Sequence, residues 1–509
     1  MSNDSLPPGS RSADAEVEAG RALLGAGQVG EAAAAFQRAL QTDPGHYSAH
    51  MGMASLLTGV QRFVEAERHA REALVARPHA PDAVRTLAAL LQLQGRHADA
   101  LAFAESVTAV RPDHGEGWMA LGDSLANLGR QDEALAAYER AMSDRELAFL
   151  ARVRSGLMLG ALGRGEAAIA AFDKAIAMDP EAAEPRHQRG LLRLAMQDFA
   201  AGWDDWEARW RSERFVAAGR GIVPRPIVPM LALGPSAASL AGKRVLLMGE
   251  QGIGDQIMFA SMIPDLARSA ASVECVCEPR LVRLLSASFE GVSVLEPKDA
   301  KIDTDVIDVL LAMGSLGSAF RRDARDFLGT PYLRPRHEVC ERWAERLRPK
   351  TRRLRIGVSW RGGVAATRTH ARSLSLQQLA PVLDLADCEF VSLQYGDVAA
   401  EVAAFNAGRE NPIRIFPREE IDDFEDLAGL VANLDVVVSV QTALVHLSGA
   451  IGQTCLTLVP HTPEWRYGAT GSTMPWYRSV RLLRQAQHGA WDRVIAEVTA
   501  EVGGRLKAS

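Results

Sequence analysis

Cysteine is scarce in this chain. There are five in 509 residues (Cys275, Cys277, Cys340, Cys388 and Cys455), none of them in a C-x-x-C arrangement. An odd count confined to the second half excludes a disulfide framework and reads as reduced, mostly buried thiols. Cys275 and Cys277 alternate within VECVCEP, which puts them on one face of a strand. An excess of positive charge is also missing: 57 basic against 63 acidic residues leave a net charge of −6. That argues against a nucleic-acid-binding face. No apolar run approaches the roughly 18 residues that span a bilayer. The N-terminus, MSNDSLPPGSRSADAE, lacks an apolar signal core, so the expected compartment is the cytoplasm. With 47% hydrophobic and 24% charged residues the composition is that of a soluble globular protein, neither disordered nor fibrous. At roughly 100–200 residues per domain, about three or four domains are expected.

What is present first is a repeat. Gly20, Ala54, Ala88, Gly122, Gly156 and Gly190 are spaced by 34 residues, as are Ala32, Ala66, Ala100, Ala134 and Ala168. Pro44, Pro78, Pro112 and Pro180 keep the same step, with Glu146 in the remaining slot. Phe36, Tyr138 and Phe172 stand four residues after the alanines. Each unit reads as two amphipathic helices. The small residue admits the neighbouring helix, the aromatic fills the gap, and the proline ends the second helix. Gly95, Gly129 and Gly163 fall in the turns between paired helices. This pattern resembles tetratricopeptide repeats, with Trp118, Leu121, Gly122, Ala134, Tyr138 and Ala141 as its fullest instance. Five repeats are expected, plus a sixth first helix starting near Glu184. Such a stack presents an extended groove suited to a peptide or protein. The alternatives are a spacer or a dimerisation surface.

FAAGWDDWEARWRSERF closes the series, with Trp203, Trp206 and Trp210 as a packed cap. A proline-rich linker follows. From Lys243 the texture becomes strand, loop, helix. RVLLMG, VECVCE, VSVLEP and VIDVLLAMG form one set of apolar runs; LRIGVSW, CEFVSLQ, IRIFP, LDVVVSV and TCLTLV form another. Strands alternating with helical stretches predict parallel sheets. The fold class expected is therefore an α-helical repeat solenoid followed by two Rossmann-like α/β domains with a cleft between them. Ligands in such folds sit beyond the carboxyl ends of the strands.

Three stretches carry candidate chemistry. GEQGIGD holds Gly249, Gly252, Gly254, Asp255 and then Gln256; its glycine spacing is not the dinucleotide fingerprint, and no P-loop is present. Asp255 opens a helix, where it serves either as a general base toward a hydroxyl or simply as a cap. In LDVVVSVQTALVHLSGAIG a strand runs into Gln441 and Thr442. His446 lies one turn on, and the helix N-terminus is suited to phosphate or sugar. His446 is either a ligand-binding group or a satisfied core histidine. In GVSWRGGVAATRTHARSLSL, Trp360, Arg361 and Gly362 follow a strand, and Arg361 and Arg372 can make bidentate phosphate contacts. HTPEWRYGATGSTMPWYRSVRLLRQ reads as a loop folded over a site. Its Trp465 and Trp476 either stack on a ligand or pack at the domain edge. Asp303-Thr304-Asp305 matches a D-x-D metal motif but precedes its strand, so no metal site is expected.

Taken together, AGWDDWEARW, LLMGEQGIGDQIMFA, IGVSWRG with ARSLSL, DLAGLVANLDVVVSVQTALVHLSGAIG, PEWRY and PWYRSVRLLRQ resemble bacterial proteins that join tetratricopeptide repeats to a glycosyltransferase domain of the heptosyltransferase type. The resemblance spans most of residues 198–485. It implies a two-domain GT-B fold. The division would be a disordered N-terminus (1–14), repeats (15–216), a linker (217–241), an acceptor-side domain (242–345) and a nucleotide-sugar-side domain (346–509). It implies Asp255 as catalytic base, with Gly252, Gly254 and Gln256 in the acceptor-side loop. Trp360, Arg361, Gly362, Arg372, Gln441, Thr442 and His446 would form the donor site. Gln441 departs from the aspartate usual there. The activity implied is metal-independent transfer of a sugar to a protein held by the repeats, flagellin being the specific acceptor in some members. The nucleotide-sugar is a co-substrate and no cofactor is needed. The other readings are a non-catalytic adaptor and a lipopolysaccharide or small-glycan transferase.

Overall fold

The computed structural model describes residues 12–212, 215, 231–300, 303, 305–348, 354–362 and 372–508. Thr304, most of the expected linker and most of the loop before Arg372 lie outside these residues. The chain divides into two compact units, Met1–Pro185 and Arg186–Ser509.

The first unit is five helical hairpins: α1 (Ala13–Gly25) with α2 (Val29–Thr42), α3 (Tyr47–Gly59) with α4 (Phe63–Ala76), α5 (Pro81–Leu93) with α6 (His97–Val110), α7 (Gly115–Asn127) with α8 (Gln131–Ala141), and α9 (Ala148–Ala161) with α10 (Gly165–Met178). Ser12 caps α1, so helix begins two residues before the expected boundary at 15. The alanine series is fully buried. The small residues are there for the aromatics. A β-carbon on Gly20 would lie 2.7 Å from Phe36, on Gly122 2.5 Å from Tyr138, and on Gly156 2.6 Å from Phe172. Gly27, Gly95, Gly129 and Gly163 all take positive φ between paired helices, and Gln61 occupies the same slot at φ 62°.

The second unit opens with α11 (Ala183–Ala195) and a shortened partner, α12 (Phe199–Trp206). The unit boundary thus falls in the first turn of the sixth hairpin rather than at residue 216. The reason is packing. Trp203 and Trp206 meet Phe259 and Trp465 edge-on or tilted, with ring centroids 5.4–6.4 Å apart. Arg209 and Glu250, both fully buried, form a two-pronged ion pair at 2.7 and 3.0 Å. Gly314 N–H adds a hydrogen bond to Glu250 at 2.7 Å. The described end of the linker is ordered, since Ala232 N–H donates to Leu310 O at 2.8 Å.

The N-terminal lobe is a four-stranded parallel sheet of β1 (Arg244–Met248), β2 (Ser272–Val276), β3 (Val292–Leu295) and β4 (Val309–Ala312), in the order β3-β2-β1-β4. The C-terminal lobe has seven strands: β5 (Leu354–Ser359), β6 (Cys388–Ser392), β7 (Ile413–Arg414), β8 (Val436–Val440), β9 (Cys455–Val459), β10 (Thr473–Met474) and β11 (Tyr477–Arg484), in the order β10-β11-β9-β8-β5-β6-β7. The central strands β5, β8 and β9 are buried at every position, which is why they read as unbroken apolar runs.

Two expectations need correction. The stretch read as a loop over a site contains β11, eight residues paired in parallel with β9. Its arginines at 478, 481 and 484 mask it, as charges on a strand near a sheet edge do. The helix His337–Arg346, read as the end of the first lobe, packs on the helix Phe424–Ala432 of the second. A β-carbon on Gly429 would lie 2.8 Å from Val339. The cysteines are all free, and four are buried.

Candidate functional site

The site is assembled where strands end. After β1 the chain turns through Gly249–Gly252, with Gln251 at φ 61°, into the helix Ile253–Ala260. Gln256 secures this loop from beneath: its Oε1 accepts Glu278 N–H at 2.9 Å, and a β-carbon on Gly249 would strike it at 2.7 Å. Asp255 lies in the first turn of the helix. Its Oδ2 accepts Gly252 N–H at 3.3 Å, so the capping role is real. Its Oδ1 accepts from Arg466 Nη2. The two side chains are 12% and 14% exposed.

The facing wall is β8 and the helix Ala443–Ile451. Thr442 is the helix cap, its Oγ1 accepting Leu444 N–H at 3.3 Å. His446 is buried between two tyrosines. Its Nδ1 is 3.2 Å from the Tyr477 hydroxyl and its Nε2 3.5 Å from that of Tyr467. Burial, and then the nearby charge of Arg466, push the imidazole well below its ordinary value, which favours its neutral form. The core reading of His446 therefore describes this structure: a ligand reaching Nε2 has to displace the Tyr467 hydroxyl.

The two helix starts meet directly. A β-carbon on Gly254 would lie 3.2 Å from both Ala443 Cα and His446 Cδ2, so glycine eases this close approach. The crevice expected between the lobes is here a closed seam. Gly362 is pressed into the same region, since its β-carbon would lie 2.9 Å from Gln441 O, 3.3 Å from Arg372 O and 3.5 Å from Thr442 Cγ2. Gln441 is 2% exposed, yet among the described residues neither its amide oxygen nor its amide nitrogen has a hydrogen-bond partner. A buried amide left unpaired on both atoms is costly, and such groups call for an explanation.

Gly254, Asp255, Gln441, Thr442, His446, Gly362 and Arg372 are thus gathered at this seam. Two expected residues, Trp360 and Arg361, play other parts. Trp360 is fully buried, with its indole N–H donating to Glu401 at 3.1 Å, so it supports the loop and offers no stacking face. Arg361 pairs with Glu401 at 2.9 Å, and Arg372 lies 3.9 Å from Glu464. Trp465 and Trp476 take the packing alternative: both are buried, and Trp476 meets Phe327 edge-on at 4.8 Å. Arg466 and Tyr467 were not singled out from the sequence. The PEWRY motif was the available signal, but it gives no indication that its arginine meets a residue 211 positions away. Among the described residues no group of three or more His, Cys, Asp or Glu could hold a metal, Asp303 and Asp305 included. No described helix is long and apolar enough to cross a membrane.

The architecture is therefore a helical-repeat solenoid joined to a parallel-sheet α/β unit. One tetratricopeptide-repeat family model matches residues 23–91 and 57–123, and a second matches 120–183. Protein FlbA of Caulobacter vibrioides is 28% identical over 330 residues, which cover 61% of this chain and 53% of that protein. The chain thus spans about half the length of this curated relative. Among solved structures, a thermophilic TPR protein of Thermus thermophilus, TTC0263, is 19% identical, with 36% of this chain and 100% of that one covered and a TM-score of 0.31. PilF of Pseudomonas aeruginosa is 15% identical, covering 41% of this chain and 96% of its own, with a TM-score of 0.34.

Proposed function

We propose that the chain is a glycosyltransferase of GT-B type that moves a sugar from a nucleotide-sugar onto a protein held by the repeats, flagellin being the acceptor class the sequence resemblance implies. The observation that carries this reading is the unpaired, buried amide of Gln441 at the carboxyl end of β8, beside a glycine and a helix start. A nucleotide-sugar brings hydroxyls and phosphate oxygens, the groups such an amide and a helix N-terminus would pair with. Asp255 would accept the proton of the attacking hydroxyl as the acceptor oxygen bonds to the anomeric carbon. The bond from that carbon to phosphate breaks, and the nucleotide leaves with the electron pair. Arg372 would balance the leaving charge, so this reading needs no metal.

Transfer of labelled sugar from a panel of nucleotide-sugars into protein of cells lacking this chain tests the proposal. Asp255→Asn is expected to lower turnover by about 10²–10⁴-fold. Unchanged turnover removes Asp255 from the mechanism; no transfer from any donor by the parent chain removes the activity.

A second reading, a non-catalytic adaptor, is favoured by one observation. Asp255 and His446 are both already satisfied by protein groups. An adaptor of this kind would capture protein through the repeats and show no turnover of any nucleotide-sugar.

A further inference from the structure

One short 3₁₀ turn, Trp465–Tyr467, supplies consecutive side chains to both walls of the seam. Arg466 reaches Asp255, and the Tyr467 hydroxyl reaches His446. The turn is gripped at both ends. Before it, Trp465 packs against Trp203 and Trp206 at 5.8 and 5.4 Å and lies near-parallel to Phe259 at 6.5 Å. After it, Arg484 of β11 donates to the carbonyls of Tyr467, Gly468, Thr470 and Gly471 at 2.5–3.2 Å. Arg466 itself has little freedom: it is held between Asp255 and Glu464, whose carboxylate lies 3.9 Å from Nη1. Asp255 is likewise fixed through both oxygens, one to Arg466 and one to Gly252 N–H. The guanidinium comes from the C-terminal lobe and the carboxylate from the N-terminal lobe, so their pairing exists only while the seam is closed.

We propose that Arg466 is the positioning residue of Asp255: from the opposite lobe it fixes the direction in which the carboxylate presents its remaining lone pairs. The proposal rests on reading Asp255 as the base of a sugar transfer. A base must lie within hydrogen-bond reach of the proton it takes, and an unsupported aspartate at a helix start has several rotamers to choose from. The anchored turn removes that choice. Arg466 touches no reacting atom in this account; it acts through Asp255.

The test uses the full chain with the nucleotide-sugar it turns over, measuring kcat and the donor KM for Arg466→Ala, Arg466→Lys, Asp255→Asn and the Arg466→Ala/Asp255→Asn pair. Arg466→Ala is expected to lower kcat by about 10- to 100-fold, the cost of a misplaced group, with the donor KM within about twofold of the parent. Added guanidinium is expected to restore part of the lost rate, which a purely structural arginine would not allow. In the Asp255→Asn background Arg466→Ala is expected to change nothing further. Should Arg466→Ala fail to fold, Arg466→Lys decides: a partial kcat at unchanged KM supports the role, and a parental kcat overturns it. A parental or raised kcat in Arg466→Ala overturns the positioning role, a raised one marking the pair as an inhibitory clamp. Additive losses in the double variant overturn it too. These outcomes leave the transferase reading intact, whereas a parent chain that turns over no nucleotide-sugar sinks that reading and this proposal with it.

Discussion

The repeat unit and the α/β unit solve the same problem, holding helices and strands in register, by opposite means. In the first unit one device recurs at each step: a fully buried alanine and, between paired helices, a residue at positive φ. In the second the devices are singular. Arg209 spans to Glu250, Glu207, Ser315 and the Trp206 carbonyl, and it lies 4.7 and 4.8 Å from the ring centres of Trp206 and Trp210. Repetition spreads stability over near-identical contacts, so damage stays local. A single buried ion pair concentrates it, and no neighbouring repeat substitutes for its loss.

The sharpest way to break this contrast is Arg209→Met, which leaves Glu250 buried without its cation. A loss of about 3–5 kcal/mol is expected for the α/β unit, with much of it recovered in Arg209→Met/Glu250→Gln. Urea unfolding followed by tryptophan fluorescence reads it, since Trp203, Trp206 and Trp210 are all buried in this region. A loss no larger than that of an exposed arginine would show that the pair does not join the sixth hairpin to the sheet.

A middle-sized effect sharpens the repeat half. Gly129→Ala places a β-carbon at φ 76° and is expected to cost about 1–2 kcal/mol. Gln61→Gly, at the equivalent slot, is expected to stabilise by up to about 1 kcal/mol, the left-handed penalty less the chain entropy that glycine adds. Opposite signs in thermal melts bear out the equivalence of the two turns; equal signs contradict it.

The smallest expected effect is a pH dependence confined to the repeats. Burial, reinforced by His50 and Arg68, pushes the His69 imidazole from 6.5 down to about 4, and His50 Nδ1 lies 3.0 Å from His69 Nδ1. The unfolded chain therefore takes up this proton first. The contribution of His69 is complete above pH 6.5 and declines as pH falls from there toward about 4. Unfolding midpoints at about pH 7 and about pH 5 should differ less in His69→Gln than in the parent. An unchanged difference removes His69 from that dependence.

The same contrast explains what the sequence made legible. The 34-residue step was readable because small and proline positions recur, and the helices fall on it from α1 to α11. Two of its turns were hidden, because Gln61 and Gln197 fill slots where glycine gives the signal elsewhere. In the α/β unit the apolar strands and the loops at their ends were readable, for strand texture is local. Pairings across the unit were not. Nothing near Asp255 foretells Arg466, and nothing near Glu250 foretells Arg209, because folding alone brings such partners together. Trp360 misled for a related reason: position after a strand suggested a site, whereas burial made it support. Arginine-rich β11 was read as loop because its charged positions conceal an edge-proximal strand.

Whether the seam at Gln441 takes up a nucleotide-sugar is read by calorimetric titration of the full chain with nucleoside diphosphates. Saturable one-to-one binding of at least one of them is expected, weakened in Gln441→Leu while the melting temperature stays near that of the parent. Absence of binding by every nucleotide, or binding indifferent to Gln441→Leu, would contradict it.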